Sequence, residues 1–314
     1  MKVDVTTELL DNSTPWTIRT ALEWTLGYLE SKGDDNPRLS AQWLLCAATG
    51  LSRLEININH DQLLADRQLT VLREGIKRCL NKEPLQYILG KTPFRHLEII
   101  TRQGVLIPRP ETEVLVEQAI LFLRQRGDLE NAHVVDIGTG SGCVALSLLQ
   151  ECPGLFIVAT DNDPQAVMLA RENANALGLA VDRHLRIIED DLADSLISNP
   201  EMNGCFDAVV SNPPYVPTGE LVKLSKEIAN FEPMQALDGG VDGLVVFKRI
   251  VKQAKMLLKP SGLLACELYE TKLDIAREYC MNEGFIDVSI HADLAGRPRI
   301  ITAYNTPCAL HSSL

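Results

Sequence analysis

The 314-residue chain has no apolar run approaching the roughly 18 residues that a membrane-spanning helix requires. Its start, "MKVDVTTELLDNSTPW", mixes acids and polar residues where a secretory leader would need an apolar core. Both absences set the expectation of a cytoplasmic protein. There is no C-x-x-C pair, and the eight cysteines, at 46, 79, 143, 152, 205, 266, 280 and 308, form no His/Cys cluster at metal-ligand spacing. Reduced core thiols and no metal site are expected. Positive charge is also scarce where nucleic acid would need it. The net charge is −12, and residues 111–314 carry 16 Lys and Arg against 29 Asp and Glu, whereas residues 1–110 carry 14 against 13. A nucleic-acid surface rests on a basic stripe that neutralises phosphates, so neither a direct nucleic-acid partner nor a membrane is expected.

What is present divides by texture, and the length fits two domains. The stretch "TIRTALEWTLGYLESKG" (17–33) places Ile18, Leu22, Trp24, Leu26 and Leu29 broadly on one helical face. A second helix follows over 37–50, with Pro37 in its first turn and Gly50 as its cap. Further helices are expected near 61–66 and across 67–82. This helical module, residues 1–84, carries no catalytic spacing and reads as a partner-binding domain. Residues 85–107, with short apolar runs broken by Gly90, Pro93 and Gly104, have hairpin grammar and read as a β-linker. Residues 108–314 then alternate. Strands are expected at 133–137, 155–160, 185–188, 206–210, 262–268, 285–290 and 299–304, with helices at 111–127, 142–151, 163–177, 243–257 and 271–282. That order predicts an α/β fold with a mostly parallel seven-stranded sheet and an antiparallel edge.

The first of these strands runs into "DIGTGSGCVAL" (136–146), where Gly138, Gly140 and Gly142 enclose Thr139 and Ser141 before a helix. Cys143 stands where a dinucleotide fingerprint needs glycine, and no G-K-[ST] follows for a phosphate loop. A tight turn with no ligand is the alternative reading of such a loop. The second strand ends in Asp161, where ribose hydroxyls are held in nucleotide-type sites, and Asp163 with Pro164 reads as the next helix cap. The third ends in "IIEDDL", bringing Asp191 and Leu192 near an adenine. A glycine loop, a ribose acid, an adenine acid and no pyrophosphate grip together suggest S-adenosylmethionine and a Rossmann-like methyltransferase domain.

The fourth strand ends in "SNPPYV" (211–216). Two prolines fix φ, donate no N–H, and force Asn212 out of the helical region. The tetrad Asn212, Pro213, Pro214, Tyr215 resembles the motif of methyltransferases that modify a planar nitrogen. Such a nitrogen has a delocalised lone pair and must be oriented. The Asn212 side-chain oxygen and the Pro213 carbonyl can each accept one N–H, and Tyr215 can pack flat on the amide; a rigid strand-end loop is the bland alternative.

Five stretches, "LIPRPETEVLVEQAI" (106–120), "DIGTGSGCVAL", "SNPPYV", "FEPMQALDGGVDGL" (231–244) and "ADLAGRPRIITAY" (292–304), together resemble the bacterial release-factor glutamine methyltransferases, the HemK/PrmC family, in order from about residue 17 to 304. The resemblance implies an N-terminal helical bundle, a β-hairpin linker and a catalytic domain. It also implies methylation of the glutamine in the Gly-Gly-Gln loop of class-1 peptide release factors, with S-adenosylmethionine as donor. Carried over, it places Gly138 to Gly142 and Asp161 on the cofactor, and Asn212 to Tyr215 on the glutamine amide. Phe94 of "PFRHLEI" becomes a pocket wall, or else plain hairpin core. Leu192 stands where the family often has a large aromatic, which substitutes aliphatic contact for stacking on adenine, and Leu268 of "CELYE" stands where relatives often carry glycine. Two other substrates belong to neighbouring enzymes: a glutamine of a ribosomal protein, which "PRPETE" (108–113) disfavours, and DNA adenine, which the acidic catalytic part disfavours.

Overall fold

The computed structural model describes residue 10, residues 15–180 and residues 184–306, so Cys308 lies outside the described residues. Thr17 and Thr20 open the first helix by capping each other's backbone N–H. Helix α1 (Ile18–Ser31) buries Ile18, Ala21, Thr25 and Leu29, the stripe of a 3.6-residue period. Leu22, Trp24 and Leu26, expected on that face, are only partly buried because the stripe runs through Ala21 and Thr25 instead. Helix α2 (Pro37–Thr49) opens on its proline and stops at Gly50, which is left-handed with φ 76°.

The helix expected near 61–66 is absent. A short α3 (Arg53–Ile58) precedes it, started by reciprocal bonds between Ser52 and Glu55, an S-x-x-E box that the apolar pattern alone does not reveal. Leu63 pairs with Thr17 in an isolated bridge. Helices α4 (Asp66–Leu80) and α5 (Leu85–Leu89) follow, and Leu29, Leu44, Leu45, Leu72 and Ile76 form the core of this helical unit. The compact units are Met1–Gly90 with Lys226–Phe231, and Lys91–Ser225 with Glu232–Leu314. No helix of the described residues is long and apolar enough to cross a membrane.

The second unit begins with an antiparallel hairpin, β1 (Lys91–Phe94) and β2 (Leu97–Ile100). After α6 (Thr112–Arg126) come β3 (His133–Ile137), α7 (Cys143–Glu151), β4 (Phe156–Asp161), α8 (Pro164–Ala176), β5 (Leu185–Glu189), α9 (Asp194–Ile197) and β6 (Phe206–Ser211). Beyond α10 (Lys226–Phe231), which groups with the first unit, lie α11 (Val245–Leu257), β7 (Leu258–Glu267), α12 (Leu273–Asn282), β8 (Phe285–Ala292) and β9 (Pro298–Asn305). All seven expected strands are present, in the order β5-β4-β3-β6-β7-β9-β8. The first five are mutually parallel, and β9 runs antiparallel to both β7 and β8. This is the Rossmann-like methyltransferase arrangement.

Successive residues of the central strands alternate between two apolar layers. Val134, Ala208 and Val210 pack with α6 and α7, whereas Val135, Ile137 and Val209 pack with α11 and α12. A strand buried on both faces reads as a continuous apolar run, which explains why "HVVDI" and "FDAVV" were legible. The chain winds outward from β3 to β5 and then returns to lay β6 on the other side of β3. Such a reversal opens a crevice at the carboxyl edge of a parallel sheet. The register aligns Ile137 with both Thr160 and Ser211 there, so the loops after β3, β4 and β6 leave the sheet at one level.

Candidate active site

The loop after β3 is held in shape by buried carboxylates. Gly138, Gly140 and Gly142 have φ of 71°, 56° and 83°, a region L side chains resist. Gly142 is also crowded, since a Cβ there would lie 3.2 Å from both the Ala170 Cβ and the Leu146 Cδ1. Asp136, 1% exposed, accepts from the Thr139 hydroxyl at 2.6 Å and from the Ala145 N–H at 3.2 Å, stapling the loop to α7. Burial pushes its carboxyl up to about 7, against those two hydrogen bonds. Burial likewise raises the neighbouring Cys143 thiol to about 12, so this cysteine is an unreactive core residue.

Asp161, at the end of β4, braces the same loop. One of its oxygens accepts from the Gly140 N–H at 2.8 Å and the other from the Asp163 N–H at 3.0 Å, while burial raises its carboxyl. Asp163 caps α8 through the Gln165 N–H at 2.8 Å, with Pro164 in the first turn. After β5, Asp190 accepts from both the backbone and the hydroxyl of Ser195. That turn leaves Leu192 at φ 57°, a conformation seldom adopted by a branched side chain. Asp191 pairs with Arg249 of α11 at 2.9 Å.

These ends converge on a cleft of about 180 Å³ whose walls include Gly138, Gly140, Asp161, Asp191, Leu192, Asn212 and Pro214. A smaller recess of about 40 Å³ shares Leu106, Gly138, Gly140 and Asn212 with it and adds Thr139, Ser141 and Thr112. Four of the expected site residues are absent from these walls. Gly142 caps α7, and Pro213 is buried between Asn212 and Pro214, which do line the cleft. Phe94 is 1% exposed within the apolar layer of Leu115, Val116 and Ala119. Tyr215 lies behind the cleft, stacked on Tyr269 at 6.3 Å.

The rim is tied together by Glu267, the last residue of β7, which is 1% exposed. One of its oxygens accepts from the Thr112 hydroxyl at 2.6 Å and the other from the Tyr215 hydroxyl at 3.1 Å. Burial raises the Glu267 carboxyl, and those two hydroxyls and Arg299 oppose the rise. Asn212, half-buried, donates its Nδ2 to the Thr112 oxygen at 3.0 Å. Behind the tetrad, Val216 exchanges backbone bonds of 2.9 Å with Leu237 and Gly239. Arg109 pairs with the buried Glu232, which also accepts from the Ile107 N–H. Thr112, Glu232 and Glu267 carry no motif spacing of their own and were missed as site residues, although each lies in a stretch quoted above.

The walls suit a nucleoside without phosphates. Apolar Val105, Leu106, Ala166, Leu192 and Val246 face carboxylates, and the basic side chain in the larger cleft, Arg249, is engaged by Asp191. A pyrophosphate would need free cations or a further turn of open N–H groups, whereas a sulfonium ligand is favoured by three aspartates. Fold and site together define a Rossmann-like S-adenosylmethionine-dependent methyltransferase. Residues 20–90 match the PrmC N-terminal domain and residues 112–230 the methyltransferase small domain. The chain is 39% identical to the release factor glutamine methyltransferase of Geobacter sulfurreducens over 91% of its own length and 96% of that protein. It is 34% identical to the one from Rhodopirellula baltica over 93% and 97%. Among solved structures, the hMettl16 catalytic domain in complex with MAT2A 3'UTR hairpin 6 shares the fold, with a TM-score of 0.54 at 18% identity over 71% of this chain and 81% of that one. The chain belongs to the release factor glutamine methyltransferase family and is a protein-glutamine methyltransferase.

Proposed function

We propose that the chain methylates the side-chain amide nitrogen of the glutamine in the Gly-Gly-Gln motif of class-1 peptide release factors, in the cytoplasm, with S-adenosylmethionine as donor. The substrate class rests on the names of relatives that align over nearly their whole length. The observation that carries the chemistry is the Asn212 amide, whose Nδ2 is engaged by Thr112, leaving its Oδ1 as the acceptor at the junction of the cleft and its recess.

The cofactor, when bound, supplies a methyl group made electrophilic by its sulfonium. Gly138 to Ser141, Asp161, Asp191 and Leu192 would hold it. The chain's own task is orientation. Asn212 Oδ1 takes one N–H of the substrate amide and the Pro213 carbonyl takes the other, which turns the nitrogen's π face toward the methyl. Alignment of this kind is worth roughly 7 to 11 kcal/mol in favourable cases. Methyl transfer would make the nitrogen acidic, and it would release one of the two oriented protons to water. Tyr215 contributes by locking the tetrad onto Glu267. The helical unit is assigned to holding the protein substrate.

The test is incubation with labelled donor and, separately, a purified release factor, a ribosomal protein and duplex DNA, with the methyl group located by mass spectrometry. Label on the Gly-Gly-Gln glutamine is expected. Label confined to the ribosomal protein or to adenine would overturn the proposal.

A further inference from the structure

The amide of Asn212 has two ends, and only one of them can accept a substrate N–H. A half-turn about its last torsion would present Nδ2 to the substrate, placing a donor against a donor. The two orientations have nearly the same shape, so packing does not choose between them; hydrogen-bond partners must. Here the choice follows from the chain of partners behind the residue. Glu267 is buried and receives two hydroxyls, one on each oxygen. The two hydroxyls and Arg299 favour its ionised form, and an ionised carboxylate can only accept, so the single proton of the Thr112 hydroxyl points to Glu267 at 2.6 Å. The face that Thr112 turns to Asn212, 3.0 Å away, is therefore a lone pair. A lone pair demands a donor, and Asn212 must offer Nδ2.

We infer that Thr112 and Glu267 form a polarity relay that fixes the Asn212 amide with its oxygen toward the substrate. Both are positioning residues, because neither is required to touch the reacting atoms. The inference rests on the proposed role of Asn212 as acceptor and extends it to two residues 155 positions apart. It also accounts for a carboxylate at position 267, since it keeps the Thr112 and Tyr215 hydroxyls pointing inward at once, and for threonine in the "PRPETE" entry. Valine has nearly the same shape as threonine but can neither accept nor donate.

Three variants are compared with wild type for release-factor methylation, with cofactor affinity measured by calorimetry and folding by thermal denaturation. Thr112→Val is expected to lower kcat by about 10- to 100-fold, the range of a buried hydrogen bond left unmade, with KM for the release factor and cofactor affinity within about threefold of wild type. Thr112→Ser restores the hydroxyl and is expected to recover kcat to within about threefold. Asn212→Ala reports on the acceptor role itself. An inactive Asn212→Ala beside a wild-type kcat in Thr112→Val would overturn the relay and leave the acceptor role standing. Near-wild-type turnover in Asn212→Ala would overturn both. A second measurement needs no folded Thr112 variant. In the nitrogen-15 spectrum of the wild-type protein, the Asn212 side-chain amide, assigned by its loss in Asn212→Ala, is expected to hold one proton against solvent exchange. Free exchange of both protons would refute the relay.

Discussion

Asp136 is a carboxyl group placed where ionisation is unfavourable. In an unfolded chain it would titrate near 3.8, whereas in the folded protein burial raises it to about 7. Because the folded value is the higher one, the native state binds the proton more tightly. Stability from this group is full at acid pH and is lost as pH rises from about 4 through 7, on the order of a few kcal/mol in all. Both of its hydrogen bonds fall on a single oxygen, which asparagine can reproduce. The stability of Asp136→Asn relative to wild type should therefore rise between pH 4 and 7 and level off above; denaturant titrations that show a flat difference would exclude an uncharged native Asp136. Asp161 is a second test at this scale. Its substitution by alanine removes the acceptor of the Gly140 N–H as well as the proposed ribose partner, and should weaken cofactor binding about tenfold or more by calorimetry. Unchanged affinity would place the ribose elsewhere. Asp161 was legible because it ends a strand, whereas Thr112 and Glu267 were not, since each sits in an unremarkable local context and their pairing is set by the tertiary fold.

Among elements, the strand-end tetrad depends on the segment behind it. The backbone of 237–240 pairs with Val216 and Thr218, and Gly239 is pressed so close that an added Cβ would lie 2.8 Å from the Pro214 oxygen, the Tyr215 Cα and the Gly243 oxygen. All three are backbone atoms and cannot swing aside. Gly239→Ala is expected to cost about 1 to 3 kcal/mol of stability and to lower kcat by displacing the rim. Wild-type values of both the melting midpoint and kcat would show that this contact is looser than it stands here. The same elements show what periodicity can and cannot read. Strands β3, β4 and β6 were found to within a residue or two because burial on both faces writes uninterrupted apolar runs. The 61–66 segment misled because "DQLLAD" looks helical yet is too short to hold a turn without a cap. Its neighbour α3 has one in Ser52 and Glu55. The role of "FEPMQALDGGVDGL" was not legible either, since a close approach of two backbones leaves only glycines as its trace.

For the whole molecule, charge limits what can approach. Residues 111–314 hold 16 basic against 29 acidic side chains, and the cleft itself is lined by Asp161, Asp163 and Asp191 with a single arginine already paired. A polyanion approaching this surface meets like charge, which disfavours binding more strongly at low salt where screening is weak. A planar-nitrogen motif alone would admit nucleobases and glutamine equally, so the discrimination falls to this field and to the fit of the partner. Excess duplex DNA or heparin is therefore expected to leave the rate of release-factor methylation unchanged at low ionic strength, where any competition would be strongest. Inhibition that disappears on adding salt would reveal a basic nucleic-acid surface that the charge balance hides. It would return the base-directed reading to contention even though the chemistry at Asn212 stayed the same.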